Sequence, residues 1–325
     1  MRIVFMGTAE LSCASLEKLA RSQGFQITAV VTQPDRPKGR ELKPQSSPVK
    51  TLAQRLGLLV LQPLRARDEK FIAELRTLQS DFIVVAAYGQ ILPQSILDLP
   101  RHGCLNVHTS LLPKYRGAAP IQWAIANGDT ETGVTIMKMD AGLDTGEIVA
   151  QRRTPIQPAD DSTTLHDRLA RLSAELLVET IPEYVTGKIQ LRPQPVEGVS
   201  HAPKIKKEDG RIDWNRPAKT IWNRLRAFTP WPGAFTFFSG TGILPVRNKP
   251  ETSPATPHLL KIWKAEIVER SGKPGEILSA DKNGIVVACG EDALRILELQ
   301  PESGRRMSAA EFLAGHALKA GEQFE

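Results

Sequence analysis

Three residues have the types and the spacing that acyl-group chemistry needs: Asn106, His108 and Asp144. Asn106 and His108 are two positions apart, so an extended segment would place both side chains on one face. An amide donor beside a titratable imidazole can hold a carbonyl oxygen as it becomes an oxyanion, and it can help to move a proton. Asp144 lies in a turn between glycines, from which its carboxylate could orient the imidazole. A plain structural use of all three stays open at this point, as a loop cap, a strand-end histidine and a turn residue.

The elements that must position these residues follow from the patterning of the first 150 residues. Strand-like runs alternate with amphipathic stretches, which favours βαβ units and an α/β fold with a Rossmann-like, open, mostly parallel sheet. The predicted strands cover 3–6, 27–31, 82–87 and 105–108, and the predicted helices are marked by Leu16 and Leu19, by Leu52, Leu56 and Leu59, and by the leucines of 162–177, with Ser162 or Thr163 as the cap. Asn106 and His108 end a predicted strand, and ligands of such sheets bind at the carboxyl ends of strands. Gly7-Thr8 does not begin a G-x-G-x-x-G motif, which argues against a dinucleotide site.

The pattern changes after residue 188. A polar stretch punctuated by proline and glycine predicts a linker over 189–206, between a catalytic domain over 1–188 and a second domain over 207–325. A short helix around Ile221 and Leu225 then precedes short strand-like runs over 234–238, 259–268, 276–280, 285–289 and 293–299. These runs predict a small OB-like β-barrel, with a hairpin at Asn283-Gly284 and a helix that opens with the capping box Ser308 to Glu311. The stretch 240–257 is predicted to be a mobile surface insertion.

The composition is typical of a globular protein with room for two domains. The chain has 325 residues, of which 41% are hydrophobic and 24% are charged. Its three cysteines are far apart, so we expect neither a disulfide framework nor a bound metal. The first apolar run is too short for a signal peptide, and no apolar run reaches roughly 18 residues. We therefore expect a cytoplasmic protein without a membrane segment. Because no large exposed apolar stretch stands out in the sequence, we also expect a monomer.

The charge is basic and unevenly distributed. The formal net charge of +6 and the pI near 9.2 permit an anionic partner such as RNA, although they do not require one. The positive residues concentrate in two segments, 34–50 and 204–216. Each segment is interrupted by acidic residues, so the charge alone assigns no partner.

The motif wording around the three candidate residues closely resembles that of the folate-dependent formyltransferases. Asn106-Val-His108 is followed by Ser110-Leu-Leu-Pro-Lys-Tyr-Arg-Gly117 and then by Asp144. The resemblance covers nearly the whole chain, and its other motifs are Gln33-Pro-Asp-Arg-Pro37, Ser47-Pro-Val-Lys50, Ala86-Ala-Tyr-Gly89, Ile91-Leu-Pro93, Lys206-Lys-Glu-Asp-Gly-Arg-Ile-Asp-Trp214, Thr229-Pro-Trp-Pro232 and Ile262-Trp263. The central block is common to formyl transfer in general. The motifs of the second domain and the segment 34–50 indicate the branch of the family that acts on charged tRNA.

The resemblance implies transfer of a formyl group from 10-formyltetrahydrofolate to the amino group of methionine on initiator tRNA, for translation initiation. The amine would attack directly, through a tetrahedral oxyanion and without a covalent enzyme intermediate. Asn106 would donate a hydrogen bond to the oxyanion, His108 would assist that charge and relay protons, and Asp144 would orient His108 or an ordered water. Cys104 is the rival nucleophile in this block, but its apolar neighbours favour an inert buried thiol.

The resemblance also implies which residues bind the two substrates. The folate contacts would be Ser110, Leu111, Leu112 and Pro113, with Tyr88, Gly89 and Ile91 as walls of the pterin pocket. The tRNA contacts would be Arg36, Lys38, Arg40 and Lys43 on a phosphate-gripping loop, with Lys204, Lys206 and Lys207 further along the chain. Two other hypotheses remain at this point. One is formyl transfer to a small amine, such as a nucleotide sugar or glycinamide ribonucleotide, and the other is a non-catalytic tRNA-binding module.

Overall fold

The computed structural model describes residues 1–38, 43–238 and 258–325. Arg40 and the whole predicted insertion over 240–257 therefore lie outside the described residues. The chain divides into two compact units, made of Met1–Ile121, Thr130–Gln157 and Thr164–Pro203, and of Gln122–Asp129, Pro158–Thr163 and Lys204–Glu325. Two short pieces of the predicted catalytic domain thus belong to the second unit. The domain boundaries at 188 and 206 stay a prediction.

The first unit is built on a mostly parallel β-sheet. Its strands are β1 (Arg2–Gly7), β2 (Gln26–Val31), β3 (Arg36–Lys38), β4 (Lys43–Gln45), β5 (Val60–Leu61), β6 (Phe82–Ala86), β7 (Cys104–His108), β8 (Arg116–Gly117), β9 (Glu131–Lys138), β10 (Ile148–Pro155) and β11 (His201–Ala202). The main sheet has the order β10-β9-β7-β6-β1-β2-β5. The five strands from β7 to β5 run parallel, while β9 and β10 are antiparallel additions at one edge.

This sheet confirms the predicted fold class. The interior strands β1 and β6 are buried along nearly their whole length, as expected for parallel strands covered on both faces. The strand order reverses between β1 and β6, which opens a crevice at the carboxyl ends of these strands. All four strands predicted in this half are present. The antiparallel pair β9 and β10 was not predicted.

Helices occur in both units. They are α1 (Leu11–Arg21), α2 (Pro48–Arg55), α3 (Glu69–Thr77), α4 (Gln94–Leu97), α5 (Pro120–Ala126), α6 (Ser162–Val185), α7 (Ala218–Ala227) and α8 (Ala309–Gly315). None of the helices in the described ranges is long and apolar enough to cross a membrane.

Two helix predictions need correction. α2 ends at Arg55, and Leu59 lies beyond it with half of its surface exposed, so the i, i+4, i+7 spacing of the leucines overstated the helix. α6 extends to Val185 through Pro182, well past the predicted end at 177. Its first turn is capped by Asp161, whose Oδ1 accepts the backbone N–H of Thr163 at 2.9 Å, rather than by Ser162 or Thr163.

The second unit is an antiparallel β-domain, as predicted. Its strands are β12 (Ala234–Phe238), β13 (His258–Val268), β14 (Ile277–Asp281), β15 (Gly284–Ala288), β16 (Ala293–Pro301) and β17 (Met307–Ser308), and a 3-10 helix covers Lys207–Gly210. The sheet order is β12-β13-β16-β15-β14. Phe324 bridges β12 and Gln323 bridges Glu276 next to β14, so the C-terminal segment joins the two edges of the sheet. The core includes Trp214 and Phe324, whose rings are stacked 6.0 Å apart.

Candidate active site

β7 holds Asn106 and His108 at its carboxyl end, between β6 and β9. Asn106 is in register with Val85 of β6 and with Met137 of β9, and His108 is opposite Thr135. The strand is therefore fixed by ladders on both sides. The period of two in a strand then places both functional side chains on one face, as predicted.

Asp144 lies in the connection between β9 and β10, and its carboxylate faces the β7 pair. Its Oδ1 accepts a hydrogen bond of 3.2 Å from Asn106 Nδ2, and its Oδ2 accepts one of 2.8 Å from the backbone N–H of Gly117. The backbone φ of Asp144 is 52°, in the left-handed region that non-glycine residues seldom adopt. The structure therefore brings the three predicted catalytic residues together.

The imidazole of His108 is held by a backbone carbonyl. Its Nε2 lies 2.9 Å from the carbonyl oxygen of Tyr115. Because a carbonyl oxygen only accepts, Nε2 must carry the hydrogen, and this fixes the tautomer of the neutral ring. Nδ1 is then the nitrogen that faces Asp144, with 3.7 Å to its Oδ2. The ring is buried, so its orientation is set by protein contacts rather than by solvent.

Gly117, which supplies the N–H to Asp144, lies in a close contact between two short strands. β8 pairs with β11, and a Cβ at position 117 would lie 2.8 Å from the carbonyl oxygen of Ala202. The φ of Gly117 is 117°, a value that residues with a side chain rarely adopt. A glycine is therefore needed for the donor to reach the carboxylate.

Asp144 is also held by a residue of the segment 189–206, which the sequence predicted only to be a linker. Gln194 Nε2 donates to the carbonyl oxygens of Asp144 and Gly146, both at 2.8 Å. Its Oε1 accepts from Arg116 Nη2 at 2.7 Å and from Nε at 3.1 Å. Sequence reasoning missed Gln194, since a glutamine in an aperiodic, proline-rich stretch carries no local signal of such a role.

The turn from Ser110 to Pro113 is stabilised by hydrogen bonds to Lys114 and Thr135. The Ser110 hydroxyl donates to the carbonyl oxygen of Lys114 at 2.5 Å, and Thr135 Oγ1 donates to the carbonyl oxygen of Ser110 at 2.7 Å. The backbone N–H of Leu112 donates to Thr135 Oγ1 at 3.1 Å. Ser110 and Leu112 are buried, so these contacts make the turn a support for the end of β7. Folate contacts of Ser110, Leu111, Leu112 and Pro113 stay a prediction.

The residues predicted to wall a pterin pocket differ in exposure. Tyr88 is buried, its phenol oxygen has no hydrogen-bond partner among the described residues, and burial raises the pKa of Tyr88 to about 12. Gly89 follows with a positive φ of 83°. Ile91 is 84% exposed, and Leu143, next to Asp144, is 62% exposed. Ile91 and Leu143 thus leave large apolar side chains open to a ligand, while Tyr88 packs in the core.

A cleft of about 940 Å³ opens at the carboxyl ends of β1 and β6, where the strand order reverses. Its lining includes Gln33 and Arg36, Tyr88 and Gly89, and His166 and Arg171 of α6. Asn106, His108 and Asp144 do not line it. It lies at the same edge of the sheet as the carboxyl end of β7, because β6 and β7 are neighbours and run parallel.

The predicted tRNA contacts lie in both units. β3 and β4 form a hairpin in which Lys38 is in register with Lys43, and Arg36 Nη2 donates to Gln33 Oε1 at 2.6 Å. Lys50 lies 2.7 Å from Asp35 at the foot of this hairpin, and its hydrogen bond, followed by that of Gln62, lowers the pKa of Asp35. In the second unit the exposed side chains of Lys204, Lys206 and Lys207 flank the buried Ile205.

The thiol of Cys104 is poorly suited to act as a nucleophile. Cys104 is buried, and its burial raises the pKa of the thiol to about 12, which suppresses the thiolate that a nucleophile requires. The described part of the chain contains no cluster of three or more histidine, cysteine or acidic residues placed to hold a metal ion.

The comparisons with known proteins agree along the whole chain. A family model described as "Formyl transferase" matches residues 1–181, and one described as "Formyl transferase, C-terminal domain" matches residues 204–317. A methionyl-tRNA formyltransferase of Geobacter sulfurreducens is 48% identical over 99% of this chain and 96% of its own length. One of Myxococcus xanthus is 50% identical, over 99% of this chain and 97% of its own.

Solved structures share the fold at low identity. HypX from Aquifex aeolicus in complex with tetrahydrofolic acid has a TM-score of 0.59 at 19% identity and covers 96% of this chain and 47% of that one. An N-formyltransferase from Helicobacter canadensis in complex with folinic acid and dTDP-3-aminofucose has a TM-score of 0.61 at 18% identity, over 90% of this chain and 98% of that one. The two family models and the full-length relatives together establish that this chain belongs to the formyl transferase family.

Proposed function

We propose that the protein transfers the formyl group of 10-formyltetrahydrofolate to the free amino group of methionine on initiator tRNA. The observation that carries this proposal is the set of full-length relatives, 48% to 50% identical, that bear the name methionyl-tRNA formyltransferase. A translation enzyme of this kind acts in the cytoplasm, and we propose that it acts there as a monomer.

Asn106 is the proposed oxyanion donor. A primary amide nitrogen carries two hydrogens, and Asp144 Oδ1 takes only one of those on Asn106 Nδ2. The second hydrogen is available to the formyl oxygen as it becomes negative in the tetrahedral intermediate. Because the carboxylate fixes the amide beforehand, no reorganisation is needed when the charge develops.

His108 acts in this proposal through Nδ1. Nε2 is occupied by the carbonyl oxygen of Tyr115, so Nδ1 is the site that can accept or hold a proton. When Nδ1 is protonated, Asp144 Oδ2 at 3.7 Å stabilises the positive charge. The imidazolium in turn stabilises the neighbouring oxyanion, which is a use of charge that a neutral amide alone cannot provide.

The bonds exchange as follows. The amine nitrogen of the methionyl group attacks the formyl carbon, and the C=O bond electrons move to oxygen. Collapse of the tetrahedral intermediate breaks the bond between the formyl carbon and N10 of the folate. The attacking nitrogen loses a proton and N10 gains one, which His108 relays directly or through water. No group of the protein becomes acylated.

The donor pocket is proposed on the side of the site that carries exposed apolar surface. Ile91 follows β6, and Leu143 directly precedes Asp144. Both side chains are largely exposed. A flat pterin ring needs apolar faces and backbone hydrogen-bonding groups at its edges, and the main chain around Gly89 and Leu143 supplies such groups.

The acceptor tRNA is proposed to contact basic residues of both units. The hairpin with Arg36, Lys38 and Lys43 lies at the rim of the 940 Å³ cleft, since Arg36 and Gln45 line it. Lys204, Lys206 and Lys207 offer exposed cations to phosphates. Arg40, which lies outside the described residues, is included on the sequence resemblance alone.

A small amine as the acceptor is less well supported. A nucleotide sugar or glycinamide ribonucleotide does not require a basic hairpin or a β-domain over residues 204–325. The solved sugar N-formyltransferases share the fold at 18% to 20% identity, far below the 48% of the relatives named methionyl-tRNA formyltransferase.

A formyl-transfer assay decides between these acceptors. Charged initiator tRNA, charged elongator tRNA and small amines are each offered with 10-formyltetrahydrofolate, at equal concentrations. We expect the highest kcat/KM with charged initiator tRNA. Faster turnover of a small amine would refute the proposal.

A further inference from the structure

Gln194 uses every hydrogen-bonding group of its side chain on the surroundings of Asp144. Nε2 gives both hydrogens to backbone carbonyl oxygens, those of Asp144 and Gly146, at 2.8 Å each. Oε1 accepts two bonds from the guanidinium of Arg116, at 2.7 and 3.1 Å. A fully satisfied amide of this kind fixes the relative position of the groups that it joins.

Gln194 joins two groups that determine where the Asp144 carboxylate lies. One side is the loop main chain, where Asp144 has a φ of 52°. A non-glycine residue holds such a conformation only where surrounding contacts stabilise it. The other side is Arg116, which directly precedes Gly117, the residue whose N–H binds Asp144 Oδ2 at 2.8 Å. Gln194 therefore contacts both the backbone of Asp144 and the residue next to Gly117, which donates to the Asp144 carboxylate.

We propose that Gln194 is a positioning residue for formyl transfer, which holds Asp144 in the orientation that orders Asn106 and His108. Its effect on rate rests on the proposed function, whereas its effect on the Asp144 loop does not. Gln194 touches neither substrate in this proposal.

A simpler role would be to attach the polar segment after α6 to the sheet. Other contacts already do this. Arg192 and Ile148 exchange two backbone hydrogen bonds of 2.8 and 3.0 Å, and β11 pairs with β8. Ser200 Oγ accepts the backbone N–H of Tyr115 at 2.9 Å. The segment is therefore expected to stay attached when Gln194 changes, so attachment and positioning are separable.

Gln194→Glu is the most selective change. A carboxylate of the same shape keeps the contact with Arg116 but has no hydrogens for the two carbonyl oxygens. We expect kcat to fall by about 10²-fold, the scale of a displacement of roughly 1 Å at a reacting centre. KM for the formyl acceptor should stay within about threefold, because no group proposed to bind it is removed.

Gln190→Glu is the matched control, since it makes the same chemical change on an exposed side chain of the same segment. It should leave kcat unchanged. Hydrogen exchange of the backbone over 139–147, measured without substrates, should become faster in Gln194→Glu and stay unchanged in Gln190→Glu.

Three outcomes would overturn the proposal. The first is a kcat of Gln194→Glu within about threefold of the unmodified protein. The second is a fall in kcat that Gln190→Glu reproduces. The third is a loss of folding in both Gln194→Glu and Gln194→Met, which would make the residue purely structural; where only the Glu variant unfolds, the Met variant is judged by the same kcat and KM criteria.

The proposed function fails separately. If the unmodified protein formylates a small amine rather than the charged tRNA, the acceptor assignment is wrong. The Gln194 variants are then compared on that amine, and the hydrogen-exchange result stands without any acceptor.

Discussion

The residues proposed for the chemistry and those proposed for tRNA binding are held in opposite ways. Asn106, His108 and Asp144 are largely buried, and their polar atoms meet partners within 2.8 to 3.7 Å. Lys204, Lys206 and Lys207 are exposed on either side of one buried isoleucine. We therefore expect positioning to govern the first region and charge near phosphates to govern the second. Single changes in the first should act on kcat, and changes in the second should act on KM and on salt dependence.

Loss of the oxyanion donor should have the largest effect. Asn106→Ala removes the amide between Asp144 and the formyl oxygen, so we expect kcat to fall by about 10²–10³-fold with little change in KM for either substrate. Steady-state kinetics at saturating folate and tRNA measure this. If the variant had the same Tm as the unmodified protein and near-normal turnover, Asn106 would have no part in the mechanism.

Replacement of His108 sharpens the assignment of its two nitrogens. The amide of His108→Gln reaches towards the Nε2 position and can keep the contact with Tyr115, but it leaves no group at Nδ1. We expect a folded protein with a kcat lower by about 10²-fold or more. His108→Asn, whose amide lies near the Nδ1 position, serves as the comparison. If the Gln variant retained more than about a tenth of the activity, Nδ1 would not be the working nitrogen.

Removal of two exposed cations tests the other region. Lys206→Gln combined with Lys207→Gln should raise KM for tRNA several-fold and leave kcat and KM for folate unchanged. If both lysines neutralise phosphates, the slope of log affinity against log salt concentration should become shallower by about one to two. Lys282→Gln combined with Lys319→Gln, which are exposed elsewhere in the same unit, is the charge-matched control. Equal effects of the two pairs would indicate a general charge effect instead of a binding surface.

A change in folding alone should have the smallest effect on activity. Ser308 caps α8 through its hydroxyl, which accepts the backbone N–H of Glu311 at 3.1 Å, and Glu311 returns a contact to the backbone N–H of Ser308. Ser308→Ala should lower the free energy of unfolding by about 1 kcal/mol. kcat and KM at 25 °C should not change. A loss of tRNA affinity in this variant would mean that α8 is part of the binding surface.

The sequence predicted the parts of the site that short-range patterns encode. The period of two in β7 placed Asn106 beside His108, and alternation of apolar runs with turns predicted the strands of the second unit closely. The capping box at Ser308 was confirmed for the same reason, because all of its determinants lie within four residues.

The parts that depend on distant segments escaped prediction. β9 and β10 carry the Asp144 loop, yet β9 is buried along most of its length and shows no alternation. The tautomer of His108 depends on the carbonyl oxygen of Tyr115, and the support of Asp144 depends on Gln194, 50 positions away. A hydrogen bond between a side chain and a remote backbone carbonyl leaves no periodic trace in the sequence.

The pairing of β11 with β8 has a consequence for the design of fragments. The match to the catalytic family model ends at residue 181, which would suggest a natural place to cut the chain. A fragment that stopped there would lose Gln194, and it would lose Ala202, whose carbonyl oxygen accepts the N–H groups of Ala118 and Ala119. Any catalytic fragment intended for inhibitor screening or crystallisation must therefore extend through Ala202.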